Sequence, residues 1–298
     1  MESKPKVLVL LSTYNGSKYL KEQLDSIFNQ KEVEVSVFAS DDISKDDTVA
    51  ILEEYSKTHN LKYRINERNK NFTYNFLDLM FDCKDLPYDY FAFSDQDDFW
   101  LDDKLISGIK ALKENEKHFY CSNLLVTDDS LKNQTPMNKF KATDKKHSPY
   151  LLENICTGCT MIFDKNFMQK ATKYYPNGIT LHDYWLFLIA VFTDGFIYDQ
   201  TGHIYYRQHS NNQIGSEKEG AAQYYKNFKN SGRFRTQLFN ELLNGYKDEI
   251  SEEDLNDINT FLTYRKKFVS KFKMLFSHKF RTKHHSILRR VKVLFNKY

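Results

Sequence analysis

Ser94-Asp95-Gln96-Asp97-Asp98-Phe99-Trp100 follows the aromatic run Tyr88 to Phe93. The run reads as a short buried strand, so three carboxylates arrive together where a strand meets a loop. Side chains at i and i+2 of an extended chain share a side, which would set Asp95 beside Asp97. Like charges packed this closely are unfavourable unless a cation neutralises them. Mg²⁺ or Mn²⁺ suits such a place, because these ions bind through one or two carboxylates and complete their shells with water and substrate phosphates. Asp95 and Asp97 therefore point to an ion shared with a diphosphate. The plainer alternative is a solvated acidic turn or a helix N-terminus, since Asp98, Asp102 and Asp103 precede a helical pattern over Lys104 to Leu112.

The strands that frame this stretch lie upstream. Lys6 to Leu11 is an unbroken apolar run, and Ser12-Thr13-Tyr14-Asn15-Gly16 ends it as a loop. A helix from about Ser17 to Asn29 has Tyr19, Leu20, Leu24, Ile27 and Phe28 on one face. Val33 to Ala39 is a second strand, closed by Ser40-Asp41-Asp42-Ile43-Ser44, and a helix begins at Asp46. This order predicts a parallel sheet whose ligands bind beyond the C-terminal strand ends, with the loops at 12 to 16, 40 to 44 and 94 to 98 along one edge. No G-x-G-x-x-G or G-x-x-x-x-G-K-[ST] occurs in those loops, so a dinucleotide-binding dehydrogenase and a P-loop NTPase lose their main support. Asp42 remains a candidate to hold a base or ribose.

Further along, 118 to 127 and 155 to 163 read as strands. Leu181-His182-Asp183-Tyr184-Trp185 opens an apolar helix, where Asp183 is either a cap or a general base able to accept a proton from a hydroxyl. Gly195 to Tyr198 is strand-like. Tyr205-Tyr206-Arg207-Gln208-His209 brings basic and amide groups suited to a departing diphosphate.

The segments LSTYNG, SDDISKDDT, FSDQDDFW and HDYW, in this order, resemble the family 2 glycosyltransferases, inverting enzymes of the GT-A fold, and most of all their bacterial rhamnosyltransferase-like branch. The resemblance covers about residues 5 to 215. It implies an α/β fold, a GT-A (Rossmann-like) and mostly parallel sheet flanked by helices, followed by a helical C-terminal extension. By resemblance Ser12, Tyr14, Asp42 and Asp95 bind the donor, Asp97 is the direct metal ligand and Asp183 is the base. Gly158, His182 and Trp185 then lie toward the acceptor. Arg207 is expected on the phosphates, with His209 on the metal or the phosphates. Implied with them are Mn²⁺ or Mg²⁺, a dTDP or UDP sugar donor, and a glycan or lipid-linked acceptor of bacterial surface polysaccharide. Two departures stand out. The family's usual Gly in the second loop is Ile43, so a left-handed residue is not expected there. Where relatives carry N-x-G and then R-N, this chain has Asn69-Lys70-Asn71 and then Tyr74-Asn75, with Asn71 able to take a positive φ.

The 298 residues give one large domain with an appendage, expected at 1 to 215 and 216 to 298. Twelve of the 43 basic residues and none of the 40 acidic ones fall in 258 to 298, which leaves the first 257 residues at −9 and the tail at +12. In that tail Phe261, Tyr264, Phe268, Phe272, Leu275 and Phe276, then Ile287, Leu288, Val291, Leu294 and Phe295, recur at helical spacing. Such a pattern fits either an anionic membrane surface or helices packed on the body or a second subunit. No recognised nucleic-acid-binding fold accompanies the charge, so nucleic acid is not the expected partner. No leader-like segment and no apolar run near the ~20 residues of a membrane span occurs, so the expected place is the cytoplasm or the inner membrane face. The four cysteines make no secreted disulfide framework, and a lone Cys156-x-x-Cys159 lacks the second pair a zinc site needs. A nucleotidyltransferase is the competing enzyme reading, although Ser12 to Gly16 has no Lys or Arg for phosphates. A non-catalytic nucleotide-sugar-binding scaffold is the other alternative.

Overall fold

The computed structural model describes residues 3–139, 147–209, 221–280 and 286–297, the side chains of 221–233 and 286–289 excepted. The chain gathers into two compact units, one of residues 1–141, 156–175 and 196–210, the other of 142–155, 176–195 and 211–298. The expected boundary at 215/216 lies outside the described residues.

The first unit is a sheet with helices. Its elements are β1 (Lys6–Thr13), α1 (Leu20–Phe28), β2 (Glu34–Asp41), α2 (Thr48–Ser56), β3 (Leu61–Ile65), α3 (Asn71–Cys83), β4 (Tyr90–Ser94), β5 (Phe99–Trp100), α4 (Lys104–Asn115), β6 (Phe119–Thr127), β7 (Thr135–Pro136), β8 (Ile162–Asp164), α5 (Lys165–Ala171) and β9 (Ile197–Arg207). Strand order is β3-β2-β1-β4-β8-β6-β9-β5, with β7 on β6. β3, β2, β1 and β4 run parallel, and Val7 to Leu11 of β1 are essentially inaccessible, which is why that stretch is apolar without alternation. Beyond β4 the sheet changes character. β8 is antiparallel to both β4 and β6, β9 is parallel to β6, and β5 is antiparallel to β9. The sheet is thus parallel in its first half and mixed in its second.

Because β2 lies on one side of β1 and β4 on the other, the loops after β1 and β4 flank the point where strand order reverses. In open α/β sheets that crevice is where ligands bind. One expected strand is absent: of 155 to 163, residues Gly158–Thr160 form a 3₁₀ turn and only Ile162–Asp164 joins the sheet. Thr160 Oγ1 donates to Thr157 O at 2.7 Å, a local bond that closes the turn in place of a ladder bond. The strand-like stretch near 195 to 198 is longer than its apolar content indicated, reaching Arg207.

The second unit is helical: α6 (His182–Phe192), α7 (Ala221–Tyr246), α8 (Glu252–Thr263), α9 (Phe268–Phe276) and α10 (Ser286–Leu294), with short 3₁₀ turns. Tyr184 to Phe192 of α6 are all buried, as expected for a helix apolar all round. Trp185 packs edge-on to Tyr246 of α7, with ring centroids 5.9 Å apart. Ser251 caps α8, its side chain accepting from Asp254 N. No described helix is long and apolar enough to cross a membrane.

Candidate active site

Three loops close over the C-terminal ends of β1, β2 and β4, and side chains tie them together. Gln96 joins the first to the third: its Oε1 accepts from Tyr14 N at 2.8 Å and its Nε2 donates to Tyr14 O at 3.0 Å. That clamp requires Gly16, because a Cβ there would sit 2.1 Å from Gln96 Oε1. Asn15 joins the first loop to the second, its N donating to Ser44 Oγ at 2.8 Å and its Oδ1 accepting from Lys45 N at 2.7 Å. Gly16 N donates to Thr48 Oγ1 at 2.8 Å, which fixes the start of α2. The Tyr14 side chain stays 45% exposed, free to meet a ligand.

The second loop is saturated with internal hydrogen bonds. Asp41 accepts from Thr13 Oγ1, Ser44 N and Ser44 Oγ. Asp42 accepts from Lys70 N with both oxygens, at 2.8 and 3.1 Å, and from Asn66 Nδ2 at 3.1 Å. Asn66 Nδ2 also donates to Asn75 Oδ1, and Asn75 Nδ2 donates to Ser12 Oγ and to Ser40 O, each at 2.8 Å. The segment that departs from the family pattern is therefore a brace under Ser12 and Asp42. Asn71 has φ 62°, as its amide side chain permits, but Ile43 has φ 67°, contrary to expectation. A left-handed β-branched residue is a strained one, held here by the bonds of Asp41 to Ser44 on one side and Asn15 to Lys45 on the other.

The third loop is different. Past Ser94 the chain bends, so the alternation of an extended strand does not carry through from Asp95 to Asp97. One oxygen each of Asp95 and Asp98 and the Cys159 sulfur lie within 4.8 Å of one another. Asp97 instead meets His209, whose Nε2 is 3.0 Å from Asp97 Oδ2. Burial pushes the Asp97 carboxyl up, against the pull of His209 and of the Arg207 charge. Asp98 is 1% exposed, and among the described residues neither of its oxygens makes a hydrogen bond of full geometry, although the Arg207 backbone N–H and the Cys159 thiol lie close enough to draw its carboxyl down. Burial, with the charges of Asp97 and Asp95, holds its carboxyl well above the usual range. Asp98 does not start a helix, because β5 intervenes and α4 has Asp103 at its N-cap.

Such a cluster fits a hard divalent cation: buried carboxylate oxygens crowd together, and the Asp98 pair is poorly supplied with donors. Cys159 is a weaker candidate ligand, since burial raises its thiol well above its ordinary value and keeps it neutral. All four cysteines are free and buried. Below the loop Lys104 is 1% exposed, with its Nζ 3.5 Å from the Trp100 ring centroid. Burial lowers its ammonium to about 7.

Arg207 holds the loop from outside. Its Nε donates to Asp97 O at 3.1 Å, Nη1 donates to Asp129 O and Nη2 to the Glu22 carboxylate. Its guanidinium also covers the Tyr19 ring, at 4.6 Å, and Tyr19 stacks on His209 at 5.0 Å. Three nitrogens engaged within the protein make Arg207 a positioning group, in place of the phosphate contact expected of it. Gly158 is buried at the head of its 3₁₀ turn.

In the second unit Asp183 is the second residue of α6. The N-cap is Leu181, so the capping alternative does not hold. Asp183 Oδ2 accepts from Asn154 Nδ2 at 3.2 Å and Oδ1 from Tyr184 N at 2.6 Å. Burial pushes its carboxyl up to about 6, which suits a base working near neutrality. His182 is 5% exposed and burial lowers its ring to about 3, so it is a neutral buried side chain. Trp185 is fully buried against Tyr246, a core residue rather than an acceptor contact. Sequence reasoning missed Gln96, Asn66 and Asn75, whose only signal was an amide next to the acidic or strand-end positions. Its plainer alternative, a solvated turn or helix start at Asp98, is not what the structure shows.

Residues 8–192 match the model described as glycosyl transferase family 2. RfbG of Shigella flexneri, a dTDP-rhamnosyl transferase, is 35% identical over 228 residues, spanning 72% of this chain and 76% of that protein. Among solved structures, S. aureus TarS 1-349 in complex with UDP-GlcNAc has a TM-score of 0.65 at 18% identity, over 98% of this chain and 80% of that one. The mannosyltransferase PcManGT from Pyrobaculum calidifontis, in complex with GDP-Man and Mn²⁺, has a TM-score of 0.54 at 14% identity, over 99% and 89%. At these identities the two structures establish the shared GT-A fold.

Proposed function

The chain belongs to glycosyl transferase family 2 and is a nucleotide-sugar glycosyltransferase, and from that premise we propose that it transfers rhamnose from a dTDP donor to a hydroxyl of a glycan or lipid-linked acceptor, with inversion, in the building of a bacterial surface polysaccharide. The observation that carries the donor side is the carboxylate group at the end of β4, beside the reversal of strand order, with Asp98 buried and outside any well-formed hydrogen bond. Similarity to RfbG, at 35% identity, supports rhamnose and dTDP over a UDP-hexose. We also keep as a proposal the division into a catalytic portion at 1–215 and a helical extension at 216–298.

A bound Mg²⁺ or Mn²⁺, held by Asp95, Asp97 and Asp98, would supply positive charge to the donor diphosphate. His209 orients the Asp97 carboxylate through its 3.0 Å contact, and Arg207 fixes the backbone of the same residue. Tyr14, with its ring exposed, and Ser12 and Asp42, braced by Asn75 and Asn66, face the nucleoside. Asp183 takes the proton of the acceptor hydroxyl as its oxygen bonds to the anomeric carbon. The bond from that carbon to the diphosphate oxygen breaks, and its electron pair leaves on the nucleotide. A single displacement of this kind inverts the anomeric configuration.

The test is calorimetry of dTDP-rhamnose and UDP-hexoses with and without Mn²⁺, then transfer assays with NMR of the product anomer. Tight binding of dTDP-rhamnose that needs Mn²⁺, and an inverted product, are expected. Asp183→Asn should lower turnover by ~10²-fold or more with donor affinity little changed. Because Asp183 must be ionised to accept a proton, wild-type turnover should rise with pH through about 6 and then level. A retained configuration, or near-normal turnover in the Asn variant, sinks the base assignment.

A further inference from the structure

We propose that the outward face of α9 and α10 is a docking surface for an anionic lipid bilayer. The proposal goes beyond the sugar-transfer reading and does not depend on it. In α9, Ser270 and Met274 turn inward and are buried, whereas Phe268, Val269, Phe272 and Phe276 are 81, 67, 53 and 58% exposed. Steps of one, four and eight residues put these four on a single helix face, opposite the buried pair. The C-terminal end of α10 repeats the arrangement: Val293 is fully buried, and Leu294 and the following Phe295 are 54 and 67% exposed. Lys271 Nζ donates to Leu294 O at 2.9 Å and to Asn296 Oδ1 at 3.0 Å, so the two helices present these side chains together.

The sequence stripe therefore splits. Phe261 and Tyr264 are 1% exposed core residues, while Phe268, Phe272 and Phe276 have no such role. Large apolar side chains gathered on one exposed face mark an interaction surface. Charge identifies the occupant. Residues 258 to 298 hold twelve basic and no acidic residues, and Arg265, Lys266, Lys267 and Lys273 are exposed beside the apolar face. A second copy docking through the same face would oppose +12 to +12. An acidic polymer would meet the charges but leave Val269 and Leu294, which cannot stack on bases, in water. A bilayer with anionic headgroups takes both: apolar side chains enter the acyl boundary while Lys and Arg remain at the phosphates. Since no described helix can span a membrane, the helices lie on the surface.

The test is sedimentation of the full chain with vesicles of phosphatidylglycerol and phosphatidylcholine in equal parts, and with vesicles of phosphatidylcholine alone. Each basic residue near an anionic surface raises partitioning roughly fivefold at low salt, so binding should require phosphatidylglycerol and weaken as salt is added. The triple variant Phe268→Ser/Phe272→Ser/Phe276→Ser should lower partitioning at least ~10-fold and abolish the part that survives high salt, with an unchanged thermal midpoint and unchanged nucleotide-sugar hydrolysis. If the triple variant does not fold, Leu294→Ser/Phe295→Ser serves in its place. The proposal is overturned if the wild type ignores phosphatidylglycerol vesicles at low salt, or if the variants bind as well as it does. It is equally overturned if the substitutions turn a wild-type dimer into a monomer, or if single-stranded RNA captures the chain where vesicles do not.

Discussion

The loop after β2 and the loop after β4 each end a strand on buried aspartates, yet they are opposites in hydrogen bonding. Asp41 and Asp42 are ringed by backbone and side-chain donors from Thr13, Ser44, Asn66 and Lys70. Asp98 makes no hydrogen bond of full geometry among the described residues, with only the Arg207 backbone N–H and the Cys159 thiol near it, and Asp95 lies against it. A carboxylate ringed by donors keeps its charge in a buried place without help from outside. One buried with few donors can take a partner from outside, and a cation suits its chemistry. Burial alone therefore does not tell these two loops apart; donor supply does.

Four substitutions break or sharpen that contrast. Asp97→Ala should lower transfer by roughly 10³-fold, because the loop loses both a carboxylate and the contact that seats His209; Mn²⁺-dependent donor binding by calorimetry is the check, and retained binding would contradict the third loop's role. Asp42→Ala should destabilise the fold by about 2–3 kcal/mol, as Lys70 N and Asn66 lose their acceptor in a buried place, read from urea denaturation. Asp98→Asn should have the opposite sign. A carboxyl raised by burial keeps its proton in the fold when the unfolded chain has lost it, so its penalty is absent below about pH 4 and grows as pH rises. The metal-free Asn variant should then be more stable than wild type at pH 8 and equal to it at pH 3, read from urea denaturation. Adding Mn²⁺ should raise the wild-type thermal midpoint well above any rise in the variant. Ile43→Gly is the smallest: relief of a left-handed β-branched residue, offset by the greater freedom of unfolded Gly, should stabilise by ~0.5 kcal/mol, seen as a rise of a degree or two.

Much of this was legible in residue order. Apolar runs ending in Ser12, Ser40 and Ser94 announced the parallel half of the sheet and its loop edge, because a strand buried on both faces must be apolar throughout. The mixed half was not legible: 155 to 163 is as apolar as a strand, but local hydrogen bonds fold Gly158 to Thr160 into a turn. Of the site, the acidic loop was evident and its internal pairing was not. Which aspartates converge depends on a bend at Gln96 and Asp97 that no side-chain pattern marks. Ile43 shows the limit in another form, since nothing about its type foretells a left-handed backbone that neighbouring hydrogen bonds impose. In the tail, spacing alone could not separate Phe261 from Phe268. Both fit one helical stripe, and only packing tells which faces inward.

The exposed aromatic face of α9 also governs how the isolated protein keeps in a tube. Colloidal stability depends on like charge holding apolar patches apart, and this chain carries only +3 at pH 7 with an isoelectric point near 8.4. Buffers close to that pH remove the repulsion while leaving Phe268, Phe272 and Phe276 uncovered, so light scattering should rise there first. Below about pH 6 charge returns, but Asp183 takes up its proton. Storage and assay are thereby confined to a narrow band around neutrality, where the solution is clear and Asp183, the proposed base, is ionised.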